Sequence, residues 1–314
     1  MRIALAGTGR LGVSLLMPLV KSSHEVVAIV QDGRRLKGLR RWAAPVAGQF
    51  LGGEQSVAGR ARALGIPIVW IAKMTPEELA PLRALGIDLL LVGGFSIILK
   101  KPLLELPRVG CLNTHSSLLP RHRGPNPFYA VILAGDAESG VTFHEMEEGI
   151  DTGPIVEQVR FPMSPRDTVL TVYQRACAVA GEHVVAVVDR VARDGLHGTP
   201  QDPALANYVK KPTIDDSWLD WSRPAIELDR QVRALSPSPM PRFKYKGRIV
   251  RVGRTEFDPA LVDAAPGTVV GSRVVVRVAT GQGALTLRVA FCTWPVPWIW
   301  PAPWGRPVVG EVLR

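Results

Sequence analysis

Three polar residues stand out by type and spacing. Asn113 and His115 sit two apart in the run Gly110–His115, and Asp151 lies between Gly149 and Gly153. Gly110–His115 reads as a β-strand. Alternate side chains of a strand share a face, which puts Asn113 and His115 on one side about 7 Å apart. Asp151 falls in a glycine-bounded loop, where a carboxylate can turn into a cleft. An amide, an imidazole and a carboxylate together suit addition to a carbonyl. The amide donates to the oxyanion, the imidazole moves a proton, and the carboxylate holds and polarises it. A histidine at a strand end is also a common structural residue, so spacing alone leaves both readings open.

A second motif competes for attention. Gly7-Thr8-Gly9-Arg10-Leu11-Gly12 is G-x-G-x-x-G between a short apolar strand and a helical pattern, and Asp32 follows 20 residues later. That is the setting of a dinucleotide-binding turn, and it admits a dehydrogenase using NAD. Glycines also serve any tight first strand–helix junction. A metal is not expected, because His144-Glu145-Met146-Glu147-Glu148 is not H-E-x-x-H. His144 reads as a strand residue facing solvent or core.

The elements that must position these residues alternate strand and helix. Strand patterns fall at Arg2–Thr8, Glu25–Val30, Ile66–Ile71, Ile87–Gly93 and Gly110–His115, with helical patterns at Arg10–Lys21, Ser56–Leu64 and Pro76–Leu85. Such alternation gives an α/β fold with a parallel sheet covered on both faces. Further strands are expected at Val141–Glu145 and Ile155–Phe161, and a long helix over Asp167–Arg193. Beyond about Gly195 the texture changes to frequent prolines, one helix near Ala225–Leu235 and short strands such as Phe243–Val252. Short strands without intervening helices indicate a small β-barrel. The boundary falls near residue 205.

The chain has 314 residues, 46% hydrophobic and 21% charged, which fits a globular protein of two domains and excludes disordered and fibrous classes. Cys111, Cys177 and Cys292 are odd in number and far apart, so a disulfide framework and a zinc ribbon are not expected. The chain reads as reduced and cytoplasmic. Gly7, Gly9, Arg10 and Gly12 break the apolar start, and four prolines break the 17 uncharged residues Val289–Gly305. Neither reads as a membrane segment, and a soluble monomer is expected. The net charge is +10, divided as +7 over residues 1–100, −4 over 101–205 and +7 over 206–314.

These motifs together resemble the folate-dependent formyltransferases. The resemblance rests on Asn113-x-His115, on Ser117-Leu118-Leu119-Pro120-Arg121-His122-Arg123-Gly124, on Gly140-Val141-Thr142 and on Asp151-Thr152-Gly153. It extends to Asp220-Trp221-Ser222 and Arg233-Ala234-Leu235-Ser236-Pro237, and so covers nearly the whole chain. It implies a Rossmann-like, mostly parallel sheet domain over residues 1–205 and a small OB-like β-barrel domain over 206–314. It implies no NAD at Gly7–Gly12. Asn113, His115 and Asp151 match the family's catalytic trio, and Ser117, Leu118, Leu119 and Pro120 match its folate loop. The donor would be 10-formyltetrahydrofolate and the acceptor a primary amine. Asp151 would take up a proton and raise the pKa of a neighbouring histidine.

The likeness is greatest to the branch that formylates methionyl initiator tRNA. Two basic runs suit that acceptor: Arg34, Arg35, Lys37, Arg40 and Arg41, and then Arg242, Lys244, Lys246 and Arg248, which fall on one face at period 2. The bland alternative for both is a solvated face. Departures exist. Pro125-Asn126-Pro127 follows Arg123-Gly124 where that branch usually reads Ala-Ala-Pro, and Gly93-Gly94-Phe95-Ser96 replaces a Tyr-Gly element. Lys211–Ser217 is similar to enzymes acting on nucleotide-linked aminosugars, which makes such a sugar the rival acceptor. Trp294, Trp298, Trp300 and Trp304 would pack over a barrel end or stack on bases.

Overall fold

The computed structural model describes residues 1–35, 56–272, 275–293, 297–299 and 307–313, with backbone alone for Arg35, 289–293 and 297–299. Lys37, Arg40, Arg41, Trp294, Trp300 and Trp304 lie outside the described residues, and for Trp298 only the backbone is described. The chain forms two compact units. One comprises residues 1–124, 138–162 and 173–208, and the other 125–137, 163–172 and the chain from 209 on.

In the first unit the strands are β1 (Arg2–Gly7), β2 (Glu25–Asp32), β3 (Ile68–Ile71), β4 (Leu89–Gly93), β5 (Gly110–His115), β6 (Glu138–Glu145) and β7 (Ile155–Pro162). They form one sheet in the order β3-β2-β1-β4-β5-β6-β7. Strands β1–β5 pair in parallel and β7 points the same way, whereas β6 runs antiparallel to both β5 and β7. The helices are α1 (Gly9–Leu19), α2 (Val57–Ala63), α3 (Pro76–Leu85) and the single turn α4 (Lys101–Leu104). Two of these helices, α2 and α3, have local reasons to begin where they do. The Ser56 hydroxyl accepts from Gly59 N and caps α2, while α3 has Thr75 as cap, Pro76 at its first position and left-handed Gly86 at its end. Ala4, Ala6, Val30, Leu90 and Val92 are buried at the centre of the sheet with Leu79 and Leu82 of α3. A sheet of near-continuous apolar strands needs such cover.

The second unit holds α5 (Pro127–Ala134), whose apolar run was not anticipated as a helix, and α7 (Ala225–Leu235). The long helix α6 (Val169–Asp194) precedes α7 in the chain and belongs mostly to the first unit. Strands β8 (Arg242–Tyr245), β9 (Arg248–Asp258), β10 (Val269–Gly271), β11 (Val276–Ala279), β12 (Ala284–Thr293) and β13 (Pro297–Ile299) make an antiparallel sheet ordered β10-β11-β12-β9-β8, with β13 on β12. It curls into a half-barrel around Trp221, Leu228, Val232, Phe243, Val250, Val252 and Val278. The expected strand Phe243–Val252 is instead a hairpin. Lys246 and Gly247 take φ of 46° and 71°, the positive values a tight primed turn needs. The period-2 face from Arg242 to Arg248 therefore ends at Lys244.

Candidate active site

Strand β5 delivers Asn113 and His115 to the carboxyl end of the parallel part of the sheet, where open α/β sheets bind ligands. The antiparallel register then sets Asn113 opposite His144 and His115 opposite Thr142. The loop after β6 brings back Asp151, which adopts a left-handed φ of 54°. Backbone strain of that kind persists only where the surroundings over-determine it. Here Gln201 Nε2 donates to the Asp151 carbonyl at 2.9 Å and to the Gly153 carbonyl at 2.7 Å. Gly153 itself tolerates no side chain, since a Cβ there would lie 2.0 Å from the Glu145 carbonyl oxygen.

The expected trio meets at Asp151. Its Oδ2 accepts from Gly124 N at 2.8 Å and lies 3.5 Å from His115 Nδ1. Its Oδ1 accepts from Asn113 Nδ2 at 3.3 Å. His115 is 6% exposed, and its Nε2 donates to the His122 carbonyl at 2.9 Å. A carbonyl oxygen only accepts, so Nε2 carries the hydrogen and a neutral ring turns its Nδ1 lone pair toward Asp151.

Burial pushes the His115 pKa below the usual histidine value, and the Asp151 charge, which pulls it up, does not overcome that. This corrects the expectation of a raised histidine: Asp151 acts in that direction but desolvation is larger. For Asp151 burial acts upward, yet the nearby His115 and His144 rings and the Gly124 N–H outweigh it and hold the carboxyl at about 2. The resting site is a carboxylate beside a neutral imidazole.

Sequence reasoning missed His144. It is 2% exposed, and its Nε2 accepts from Asn113 Nδ2 at 3.0 Å and lies 3.5 Å from Asp151 Oδ1. Its alternation with Thr142 along β6 was visible, but the register that sets it against Asn113 was not.

The loop Ser117–Pro120 is held from the neighbouring strands. The Thr142 hydroxyl donates to the Ser117 carbonyl at 2.6 Å and accepts from Leu119 N at 3.2 Å. Gln158 Nε2 donates to the Leu119 carbonyl at 2.7 Å. Ser117 and Leu119 are buried, so Leu118 and Pro120 are the half-buried members of the loop.

The Gly7–Gly12 turn is explained by packing, since a Cβ on Gly12 would come 2.6 Å from Val57 Cγ2. Asp32 is engaged by Arg34, through Nε at 3.0 Å and Nη2 at 2.8 Å, and by the Ser96 hydroxyl at 2.7 Å. That carboxylate is therefore already hydrogen-bonded. Arg34, Lys73 and Lys100 line a cavity of about 510 Å³ together with Met74, Ile97 and Ile98.

The second basic run divides. Arg242 is 6% exposed and stands opposite Arg251 in the β8–β9 register. Its guanidinium carbon and Lys244 Nζ lie 5.9 and 5.7 Å from the centre of the Trp218 ring. Lys246 is paired with Glu311 at 3.3 Å, and Arg248 opens β9 half-buried. Among the described residues no three His, Cys, Asp or Glu side chains are grouped to hold a metal ion, and no helix is long and apolar enough to cross a membrane.

Comparison with known proteins places these features. The chain is 37% identical over 289 residues to a methionyl-tRNA formyltransferase of Ectopseudomonas mendocina, covering 91% of this chain and 88% of that one. Its fold is similar to an N-formyltransferase from Helicobacter canadensis solved with folinic acid and dTDP-3-aminofucose, with TM-score 0.69, 18% identity and coverage of 91% and 98%. It is also similar to a methionyl-tRNA formyltransferase from Clostridium thermocellum, with TM-score 0.56, 15% identity and coverage of 90% and 100%. Residues 1–188 match the formyl transferase family, residues 212–290 match the C-terminal domain of formyl transferases, and the chain belongs to that family.

Proposed function

We propose that this protein transfers the formyl group of 10-formyltetrahydrofolate to the α-amino group of methionyl initiator tRNA, the step that prepares the initiator for translation. The observation that carries this reading is sustained identity of 35–37% with methionyl-tRNA formyltransferases over 91–92% of the chain. In this reading residues 1–205 are the catalytic domain and 206–314 the barrel domain, and the enzyme acts as a cytoplasmic monomer.

Asn113, His115 and Asp151 have the chemistry for the transfer. The acceptor nitrogen attacks the formyl carbon, and the carbonyl electrons move to oxygen. Asn113 Nδ2 donates to that oxyanion. Asp151, ionised and 3.5 Å from His115, takes up the proton that the amine loses. His115 shares that proton through Nδ1, and the departing folate nitrogen recovers it as the old carbon–nitrogen bond breaks. The half-buried Leu118 and Pro120 are the folate-loop residues open to contact the donor. Ser117 and Leu119 shape the loop from within. Arg34, Arg35, Lys37, Arg40 and Arg41 and the cluster of Arg242, Lys244 and Arg248 are the proposed tRNA contacts. Lys246 is already neutralised by Glu311.

The test supplies the formyl-folate donor with charged initiator tRNA or with UDP-aminosugars. Formylation of the aminoacyl-tRNA, with acceptor affinity falling steeply as salt rises, is the expected result. Formylation of the sugar alone, with little salt dependence, overturns the assignment of acceptor.

A further inference from the structure

Asn113 has two N–H donors on one nitrogen, and both are already engaged. One goes to His144 Nε2 at 3.0 Å and the other to Asp151 Oδ1 at 3.3 Å. A donor bound within the protein does nothing for an oxyanion until one of these bonds is exchanged. The two are not equivalent. The bond to Asp151 is long for N–H···O, while the bond to His144 has ordinary length.

The protonation of His144 follows from its other nitrogen. Nδ1 lies 2.8 Å from the Glu145 carbonyl oxygen, which only accepts, so Nδ1 carries the hydrogen. In the neutral ring Nε2 is then a lone pair, the acceptor that Asn113 requires. At 2% exposure no bulk water competes for that lone pair.

We propose that His144 is a positioning residue: by accepting one Nδ2–H it fixes the plane of the Asn113 carboxamide, so that the other Nδ2–H, resting on Asp151, is the one passed to the oxyanion. This rests on the formyl-transfer reading above and assigns that site a residue outside its trio. The exchange is timed by the reaction itself. When Asp151 takes the amine proton, its oxygen weakens as an acceptor just as the oxyanion forms, and the N–H moves to the stronger acceptor. No bond to Asn113 or His144 is made or broken.

Two variants test this. His144→Leu keeps volume but removes the acceptor, and kcat should fall about 10- to 100-fold with both KM values unchanged. His144→Gln presents an amide oxygen that accepts and does not titrate. It should recover most of kcat. Full kcat in the leucine variant, or a glutamine variant no better than leucine, overturns the proposal. Should the leucine variant fail to fold, His144→Phe, a ring without an acceptor, replaces it in the comparison with glutamine. Variants that keep full kcat, while wild-type enzyme formylates methionyl-tRNA, overturn this proposal and leave the acceptor reading intact. Wild-type enzyme that formylates no aminoacyl-tRNA removes that reading, and the same variants are then assayed with the acceptor it uses.

Discussion

Asp151 and His115 are each held away from their ordinary protonation behaviour, and both shifts make stability depend on pH. Burial lowers the His115 pKa below 6.5, so between the native and unfolded values the unfolded chain binds more protons than the native one. Stability from this group is full above about pH 6.5 and is lost as pH falls through the window below it. Asp151 is lowered from 3.8 to about 2, and its contribution is full above the unfolded value and lost as pH falls toward the native one. Stability should accordingly fall first below neutrality through His115 and then again below pH 4 through Asp151. Urea midpoints measured from pH 7 to pH 3 check this. In His115→Gln the fall between pH 7 and pH 5 should be shallower than in wild type, and an equal slope would place the acid sensitivity elsewhere.

At the level of elements, the proposed donor loop depends on strands that it does not belong to. The Thr142 hydroxyl on β6 bridges the Ser117 carbonyl and Leu119 N, and also accepts from Gln158 Nε2 of β7 at 3.0 Å. Thr142→Val keeps the shape and leaves those buried backbone groups without this partner, at a cost of about 1–3 kcal/mol. The thermal midpoint should drop and KM for the donor should rise several-fold while kcat is held. An unchanged donor KM would detach Ser117–Pro120 from donor binding. What the sequence made legible here was local. Helix α3 runs Pro76–Leu85 as its cap, proline and terminal glycine dictate, and Asp151 sits where its flanking glycines suggest. What it hid was either unpatterned or non-local. Helix α5 is apolar throughout, so no 3.6-residue face distinguishes it from a buried strand. The β8–β9 turn uses Lys246-Gly247 in place of the stronger Asn-Gly signal. His144 acquires its meaning only from the β5–β6 register, which pairs it with Asn113.

Across the whole molecule the charge of +10 becomes informative only where cations lack acidic partners. Many of the described basic residues are neutralised nearby, as Arg2 is by Glu25, Arg288 by Glu256 and Lys246 by Glu311. Arg242 is different. It is buried, its Nε has no hydrogen-bond partner, and the residue opposite it in the register is another arginine, Arg251. Like charges directly across a ladder are destabilising, and burying a cation without an acid costs more. Burial and Arg251 together lower the Arg242 pKa, the mark of a cation whose surroundings disfavour its charge. The Trp218 ring and the Met240 carbonyl are set against its guanidinium. Such an arrangement is a cost to folding that an arriving phosphate would relieve. Arg242→Met should therefore leave the thermal midpoint unchanged or raise it. It should also weaken binding of the proposed tRNA acceptor and reduce the slope of log affinity against log salt by about 1. Lys244→Ala, an exposed position, should lower the same slope without affecting stability. Loss of stability in Arg242→Met with tRNA affinity and slope intact would instead make Arg242 a cation held for the sake of Trp218, and would confine the tRNA contacts to other basic residues.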